Sequence, residues 1–465
     1  MKVPEIFTSN ILREYAIVFI VNLSVVTTGM SLGWPSPMLV KLNDPSQTHL
    51  GRPVTTEEGS WIVSIGFLIC IFTNIPLGYL IHTIGRKYTL ILAMVPKLCA
   101  CCLFLFGREI WMIIMGRALF MVGDSAVLVA VPVYASEIAS KERRGALGTF
   151  LQIFCSTGIV IALSVGPFVS FYTYNTVLAS AIAVTGLPLL ILPESPSYQH
   201  CKGKIAEATK TLIFLRGSEA AAKTELQEYS SSKNETKVEL LALLQNRLFL
   251  KSLGIAFLLS GGAQFVGFNA VSYYMQTILE STHTNVRSEI GSVIIGVIQL
   301  FASLCTAPIT DRFGRRPILI WSTAGILVGL IGLGSFFQVS QTPGYIIQGF
   351  MNYLPTASLI IIVYCFSVGV GSLCWLLSAE LFEGPARGHG VSAVMSLAML
   401  MIFLLVKYFA AVTLALGAAA TYWIFCVNCT IILTLIFLFV PETKKKSFEE
   451  IQRALMERSF YFGRE

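Results

Sequence analysis

The sequence is dominated by apolar runs of about 20 residues, the length that a helix needs to cross the hydrocarbon core of a bilayer. Only 13% of the 465 residues are charged, 55% are apolar, and the mean hydropathy is +0.72. An ordinary soluble domain is about 25% charged, and a disordered chain has low hydrophobicity. Both classes are excluded, so we expect a membrane protein with many spans.

Twelve spans are predicted, in two sets of six. The first set lies near 14–35, 60–81, 88–107, 110–134, 146–167 and 173–193, and the second near 250–278, 288–310, 317–337, 356–380, 389–412 and 419–440. We therefore expect an all-α membrane protein with two pseudo-symmetric six-helix bundles. Its predicted parts are an N-terminal bundle (1–193), a cytoplasmic linker with short helices (194–249), a C-terminal bundle (250–440) and a cytoplasmic tail (441–465).

The distribution of Lys and Arg predicts that both termini are cytoplasmic. With that orientation only Lys41, Arg52, Arg108 and Arg287 face the outside, as the positive-inside rule requires. The basic run 444–446 would then meet the anionic inner leaflet, which favours the plasma membrane. The net charge of +7 is spread over short runs without a nucleic-acid motif, so no nucleic-acid partner is expected.

The two halves carry matching charged motifs at their cytoplasmic helix ends. Gly85-Arg86-Lys87 matches Gly314-Arg315-Arg316, Glu137 with Arg144 matches Glu380 with Arg387, and Pro193-Glu194-Ser195 matches Pro441-Glu442-Thr443. Helix capping explains single charges but not matched spacings, so the pattern indicates duplicated bundles. These carboxylates and guanidiniums are predicted inner-gate charges, which pair across the two halves when the inner face is closed and separate when it opens.

Several spans carry a neutral amide or an indole well inside the hydrocarbon, namely Gln152, Gln264, Asn269, Gln299 and Trp375. Sugar hydroxyls both donate and accept, so a sugar pocket needs amides and an aromatic platform within an apolar cavity. The alternatives are that the amides join helices and that the indole belongs to an interfacial belt.

Gln264 and Asn269 stand five residues apart in the seventh span. On a regular helix that spacing places them about 140° apart, so one ligand meets both only if the helix breaks. Gly267 is the predicted position of the break.

Together these motifs resemble the sugar porter family of the major facilitator superfamily over nearly the whole chain. The resemblance rests on Gly116-Arg117, Pro132-Val133-Tyr134-Ala135-Ser136-Glu137, residues 144–149, Pro193-Glu194-Ser195-Pro196, residues 311–316 and Pro441-Glu442-Thr443-Lys444. Residues 29–37, 55–61 and 403–407 are similar to its facilitated trehalose transporter branch. The resemblance implies that Gln152, Gln264, Asn269 and Trp375 contact sugar and that Tyr273 and Tyr274 form the outer gate.

The chain departs from the family pattern at three pocket positions. Ala263 stands where the family has a second glutamine, and Ala398-Met399 replace an Asn-Trp pair. These changes make the pocket less polar, and they leave open whether the sugar is trehalose or a hexose such as glucose.

Coupling is predicted from the first span. Proton-driven relatives carry a carboxylate where this chain has Ser31, so uncoupled transport is the expectation. Asp124, in the fourth span, remains to be explained. It could pair with Arg117 or with Lys97 as a structural ion pair, or serve as a proton relay.

The sequence therefore predicts a facilitative transporter of a small sugar that works by alternating access, with no ion coupling, cofactor or metal. An enzyme is not expected, because no nucleophile motif or metal-ligand cluster is present in the sequence. Two alternatives stay open. One is a proton-coupled sugar symporter using Asp124, and the other is a non-transporting sugar receptor, suggested by Ala263, Ala398 and Met399.

Overall fold

Twelve helices in the described part of the chain are long and apolar enough to cross a membrane, which confirms the predicted number of spans. The computed structural model describes residues 10–48, 50–140, 143–231, 247–342, 345, 347–382, 384–440, 442 and 444. Residues 232–246 of the predicted linker and most of the predicted tail, 445–465, lie outside these ranges. Within them no strand is present.

The chain folds as two compact units. Unit 1 comprises Met1–Trp34, His49–Gly51 and Ile69–Glu235, and unit 2 comprises Pro35–Thr48, Arg52–Leu68 and Thr236–Glu465. The four-part division made from the sequence stays a prediction.

The α-helices are numbered here in chain order. Those of the first half are α1 (Asn10–Gly33), α2 (Pro35–Asn43), α3 (Thr56–Ile84), α4 (Arg86–Phe106), α5 (Ile110–Ile138), α6 (Arg144–Gly148), α7 (Phe150–Val165), α8 (Phe171–Gly186), α9 (Pro196–Cys201), α10 (Ile205–Arg216) and α11 (Glu219–Ser231). Those of the second half are α12 (Arg247–Phe265), α13 (Phe268–Tyr273), α14 (Met275–Ser281), α15 (Ser288–Phe313), α16 (Arg315–Ser340), α17 (Leu354–Cys365), α18 (Gly371–Glu380), α19 (Gly384–Leu416) and α20 (Ala418–Phe439).

Three predicted spans differ in detail from the helices observed. The first continues beyond residue 35 as α2, because Pro35 has the fixed φ that favours the first turn of a helix. The seventh is divided into α12, α13 and α14. The tenth is interrupted by one π-helical turn, Phe366–Val370, between α17 and α18.

A reciprocal side-chain cap starts α3. The Thr55 backbone N–H donates to Glu58 Oε2 at 2.9 Å, and the Glu58 N–H donates to Thr55 Oγ1 at 3.3 Å. Arg52 adds an ion pair to the same carboxylate at 2.6 Å. This capping box satisfies amides that have no partner within the helix, which fixes where the second span begins.

Helices α1 and α7 of unit 1 pack with their backbones in contact. A Cβ atom at Gly158 would lie 2.8 Å from the Gly29 Cα and 2.8 Å from the Met30 nitrogen. Small residues allow such close approach, which membrane helices use because lipid supplies no hydrophobic drive for their association.

We expect Gly158→Val to destabilise unit 1 by about 1–3 kcal/mol, because the added methyl groups force α1 and α7 apart. The measurement is the melting temperature of the purified protein in detergent. The control is Gly78→Val in α3, since a Cβ atom at Gly78 would meet no atom within 4 Å. Equal melting temperatures for the two variants would contradict this packing.

Candidate functional site

The seventh span is broken at Gly267, where the sequence predicts a break. Helix α12 ends at Phe265 and α13 begins at Phe268, with Gly267 between them at φ +84°. A Cβ atom at Gly267 would lie 2.9 Å from the Phe425 ring. Both the positive φ and the lack of room call for glycine.

The break brings the two amides of the seventh span together. Asn269 Nδ2 donates a hydrogen bond to Gln264 Oε1. Gln264 is buried, and its Nε2 donates to the Ser260 carbonyl oxygen at 2.8 Å. Asn269 is half-buried. Two amides that a regular helix would separate therefore form one hydrogen-bonded pair inside unit 2.

The other predicted sugar contacts occupy different surroundings. Gln299, on α15 in unit 2, is buried, and its Oε1 accepts no hydrogen bond in the described part of the chain. Gln152, on α7 in unit 1, is exposed, and its Nε2 lies 3.4 Å from Ser156 Oγ. Trp375 lies on α18, but its side chain is outside the described residues.

The predicted outer-gate tyrosines lie directly after the break. The Tyr273 ring lies 5.4 Å from that of Phe67, centroid to centroid. The Tyr274 hydroxyl donates to the Val406 carbonyl oxygen at 3.3 Å, and its ring lies 5.2 Å from that of Phe409. Both tyrosines are buried.

Lys407 makes a contact that the sequence did not predict. Its Nζ donates to Ser60 Oγ at 2.8 Å and lies 4.1 Å from the Trp61 ring centroid. A cation over an indole face is electrostatically attracted to the ring. The available signal was that Trp61 and Lys407 both belong to segments that resemble the same branch of the family.

Two of the predicted inner-gate charges of unit 1, Arg86 and Glu137, form an ion pair. The Arg86 guanidinium donates two hydrogen bonds to the Glu137 carboxylate, from Nη2 to Oε1 at 2.8 Å and from Nε to Oε2 at 3.0 Å. Ser195 Oγ donates to the same carboxylate. Glu194 Oε1 accepts the backbone N–H groups of Arg86 at 3.1 Å and Lys87 at 3.2 Å.

Unit 2 repeats the carboxylate cap. Glu442 Oε1 accepts the Arg315 N–H and Oε2 accepts the Arg316 N–H, each at 3.0 Å. Gly85 and Gly314 precede the capped helices at φ +105° and +92°. In each unit a glutamate thus stabilises the free amides at the N-terminus of one spanning helix.

The sequence hypothesis paired inner-gate charges across the two halves, whereas the contacts just described lie within each unit. Arg144 is exposed on α6. Glu380 ends α18 and Arg387 lies on α19, but their side chains are outside the described residues. The pairing of these charges during transport stays a prediction.

Burial affects the protonation of the cap in unit 1. Removal from water raises the pKa of Glu194, and the N–H donors of Ser195, Lys87 and Arg86 oppose part of that shift. The backbone donors favour the charged form of the carboxyl.

Two intramembrane cations of unit 1 have defined partners. Lys97 Nζ lies 2.8 Å from Asp124 Oδ1, so Lys97 is the described ion-pair partner of this carboxylate. Arg117 Nη1 instead donates to the carbonyl oxygen of Ser31 at 3.1 Å and to its Oγ at 3.3 Å. The Arg117 guanidinium also lies 5.2 Å from the Trp34 ring centroid.

Sequence reasoning missed a buried carboxylate near the N-terminus of α1. Glu14 is fully buried, accepts from Arg143 Nε at 2.9 Å and forms an ion pair with Arg216 Nη1 at 2.7 Å. Arg216 also pairs with Glu225 at 2.9 Å. These ion pairs connect α10 and α11 to the start of α1. The available signal was a glutamate just before the first apolar run.

The helices and their paired charges define the chain as a membrane transporter. The family model "Sugar (and other) transporter" matches residues 19–455. The chain belongs to the sugar porter family of the major facilitator superfamily, and it is therefore a sugar transporter and not an enzyme.

Curated relatives are similar over most of their length. The chain is 32% identical to "Facilitated trehalose transporter Tret1" of Polypedilum vanderplanki, over 94% of this chain and 87% of that protein. It is 31% identical to "Facilitated trehalose transporter Tret1-2 homolog" of Drosophila sechellia, over 94% and 90%.

The fold is shared with a solved transporter. The inward open conformation of the xylose transporter XylE from E. coli superposes with a TM-score of 0.78 at 21% identity, covering 95% of this chain and 99% of that one. This likeness shows the fold alone.

We expect Glu194→Ala and Glu442→Ala each to lower stability by about 1–3 kcal/mol, because each leaves two helix amides without an acceptor. Thermal unfolding in detergent checks this. The control is Glu207→Ala, which removes a glutamate whose side chain is 58% exposed and whose nearest cation is 3.7 Å away. A control as damaging as the two variants would contradict the capping role.

Proposed function

We propose that the protein carries a small sugar, trehalose or a hexose such as glucose, by facilitated diffusion through alternating access. The observation that carries the proposal is the broken seventh span, which joins the buried Gln264 and the half-buried Asn269 in one hydrogen-bonded pair. Amides that both donate and accept are suited to sugar hydroxyls and carry no charge that would require a counter-ion.

Gln299 supports the same proposal from a second helix. A buried carbonyl oxygen without a hydrogen bond carries a free-energy cost that a donor from a ligand or water would remove. A sugar hydroxyl is such a donor. We propose Gln152, Gln264, Asn269, Gln299 and Trp375 as the sugar-binding residues.

The names of the relatives favour trehalose, since those quoted above are called facilitated trehalose transporters. Ala263, Ala398 and Met399 keep a hexose in consideration, because each leaves this pocket without a polar contact that the family resemblance implies. Single contacts of this kind shift preference between similar sugars.

Uncoupled transport is supported by the surroundings of Ser31. Its hydroxyl and carbonyl oxygens accept from Arg117 at the position where the resemblance implies a carboxylate in proton-driven relatives. A hydroxyl stays neutral at physiological pH and cannot exchange a proton with the arginine. We further propose that the protein resides in the plasma membrane with both termini cytoplasmic, from the distribution of its basic residues.

The test is counterflow in liposomes that contain the purified protein, with labelled trehalose and labelled glucose supplied separately at equal pH on both sides. We expect transient uphill accumulation of one sugar. Gln264→Ala and Asn269→Ala should each reduce that exchange by about tenfold or more, the cost of a lost buried hydrogen bond. The control is Gln341→Ala, which removes an exposed amide at the end of α16.

Three outcomes decide among the functions considered. Exchange that responds to both pocket variants and not to the control supports the uniporter and identifies its sugar. Saturable binding without exchange would make the protein a receptor and overturn the proposal. Accumulation driven by a proton gradient, measured in the same liposomes with different pH inside and outside, would establish the symporter instead.

A further inference from the structure

A fully buried ion pair lies between α4 and α5 in unit 1. Lys97 Nζ is 2.8 Å from Asp124 Oδ1, and both side chains are 0% exposed. A lone carboxylate in such a place costs several kcal/mol unless it is paired or protonated. Lys97 is therefore the partner that allows Asp124 to remain charged there.

The site around Lys97 is built for an ammonium. Besides Asp124, Lys97 Nζ donates to Thr27 Oγ1 at 3.2 Å and to Thr28 Oγ1 at 2.9 Å, both on α1. Two of the three N–H donors of the ammonium are thus accepted by threonine hydroxyls, and the Asp124 carboxylate lies within ion-pair distance without accepting a hydrogen bond. A Cβ atom at Gly123 would lie 2.6 Å from Lys97 Cγ, so this glycine makes room for the lysine.

The other ionisable groups around Asp124 do not take the place of Lys97. Arg117, on the same helix, contacts Ser31 and the Trp34 ring. Three thiols on neighbouring helices interact electrostatically with Asp124, namely Cys70 on α3, Cys101 on α4 and Cys155 on α7. Thiols can release a proton, but they cannot supply a positive charge.

We propose that Lys97 is the fixed counter-charge of Asp124, holding it ionised through the whole transport cycle and so keeping it from carrying a proton with the sugar. An intramembrane carboxylate without a counter-ion is a proton-binding group. The lysine ammonium supplies the positive charge that a proton would otherwise bring. This inference rests on the proposed uncoupled transport and identifies the residue responsible for it.

The experiment compares the wild type with K97M and K97M/D124N in the counterflow assay at several pH values. In K97M the carboxylate of Asp124 loses its cation and must bind a proton to stay buried. We expect exchange in K97M to be lower by about tenfold or more at alkaline than at acidic pH, because a buried carboxylate without a cation is disfavoured. The double variant has neither charge, so its exchange should be independent of pH, as in the wild type.

A second measurement needs no transport. We expect the melting temperature of K97M in detergent to fall as pH rises, because the buried carboxylate is tolerated only with its proton. The wild type and K97M/D124N should not share that dependence. This measurement separates the inference from the proposed function. Counterflow absent from the wild type overturns uncoupled transport, whereas the melting curves still test the role of Lys97.

Several results would overturn the inference. One is exchange or melting of K97M with the same pH dependence as the wild type. Another is a K97M protein that fails to fold at every pH while K97M/D124N folds, since a proton then cannot replace the lysine. Failure of both variants to fold would show that Lys97 is required for packing rather than as a counter-charge.

Discussion

The structure depends on one constraint, the absence of water from the hydrocarbon core, which makes a buried polar group costly unless a partner within the chain satisfies it. In unit 1 this constraint links three spans. Lys97 on α4 reaches Asp124 on α5 and two threonine hydroxyls on α1. Each contact satisfies a group that would otherwise cost several kcal/mol, so together they fix how these helices pack. The backbone contact of α1 with α7 at Gly29 then places a fourth span without any polar group.

At the N-termini of α4 and α16 the same constraint applies to backbone amides. Free amides at a helix N-terminus need acceptors, and each unit supplies a glutamate from a segment more than 100 residues later in the chain. In unit 1 the same region holds the Arg86–Glu137 pair. The buried carboxylate of Glu14 extends these contacts to the linker helices through Arg216. The duplicated motifs therefore make tertiary contacts that stabilise each unit, and they are also candidate gate charges.

Hydropathy alone predicted the helical fold and the number of spans, because an apolar run of about 20 residues is typical of a membrane-spanning helix. The break at Gly267 was also predictable, since two amides at an unfavourable spacing flank a glycine. The partner of Asp124 was not. Helical periodicity indicates which residues share a face, but it does not give the register against the neighbouring helix, so Arg117 and Lys97 were equally good candidates. The π-helical turn at Phe366–Val370 was missed because no proline marks it.

The placement of charge bears on selectivity. The intramembrane carboxylate Asp124 is matched by a lysine within its own unit, and the amide pair of the seventh span is neutral. A neutral pocket discriminates by the positions of hydroxyl groups rather than by electrostatic attraction, because an amide gains its hydrogen bonds only where donors and acceptors coincide. The proposed sugar contacts and the ion pair lie on different helices, so we expect a substitution at those contacts to leave the ion pair undisturbed.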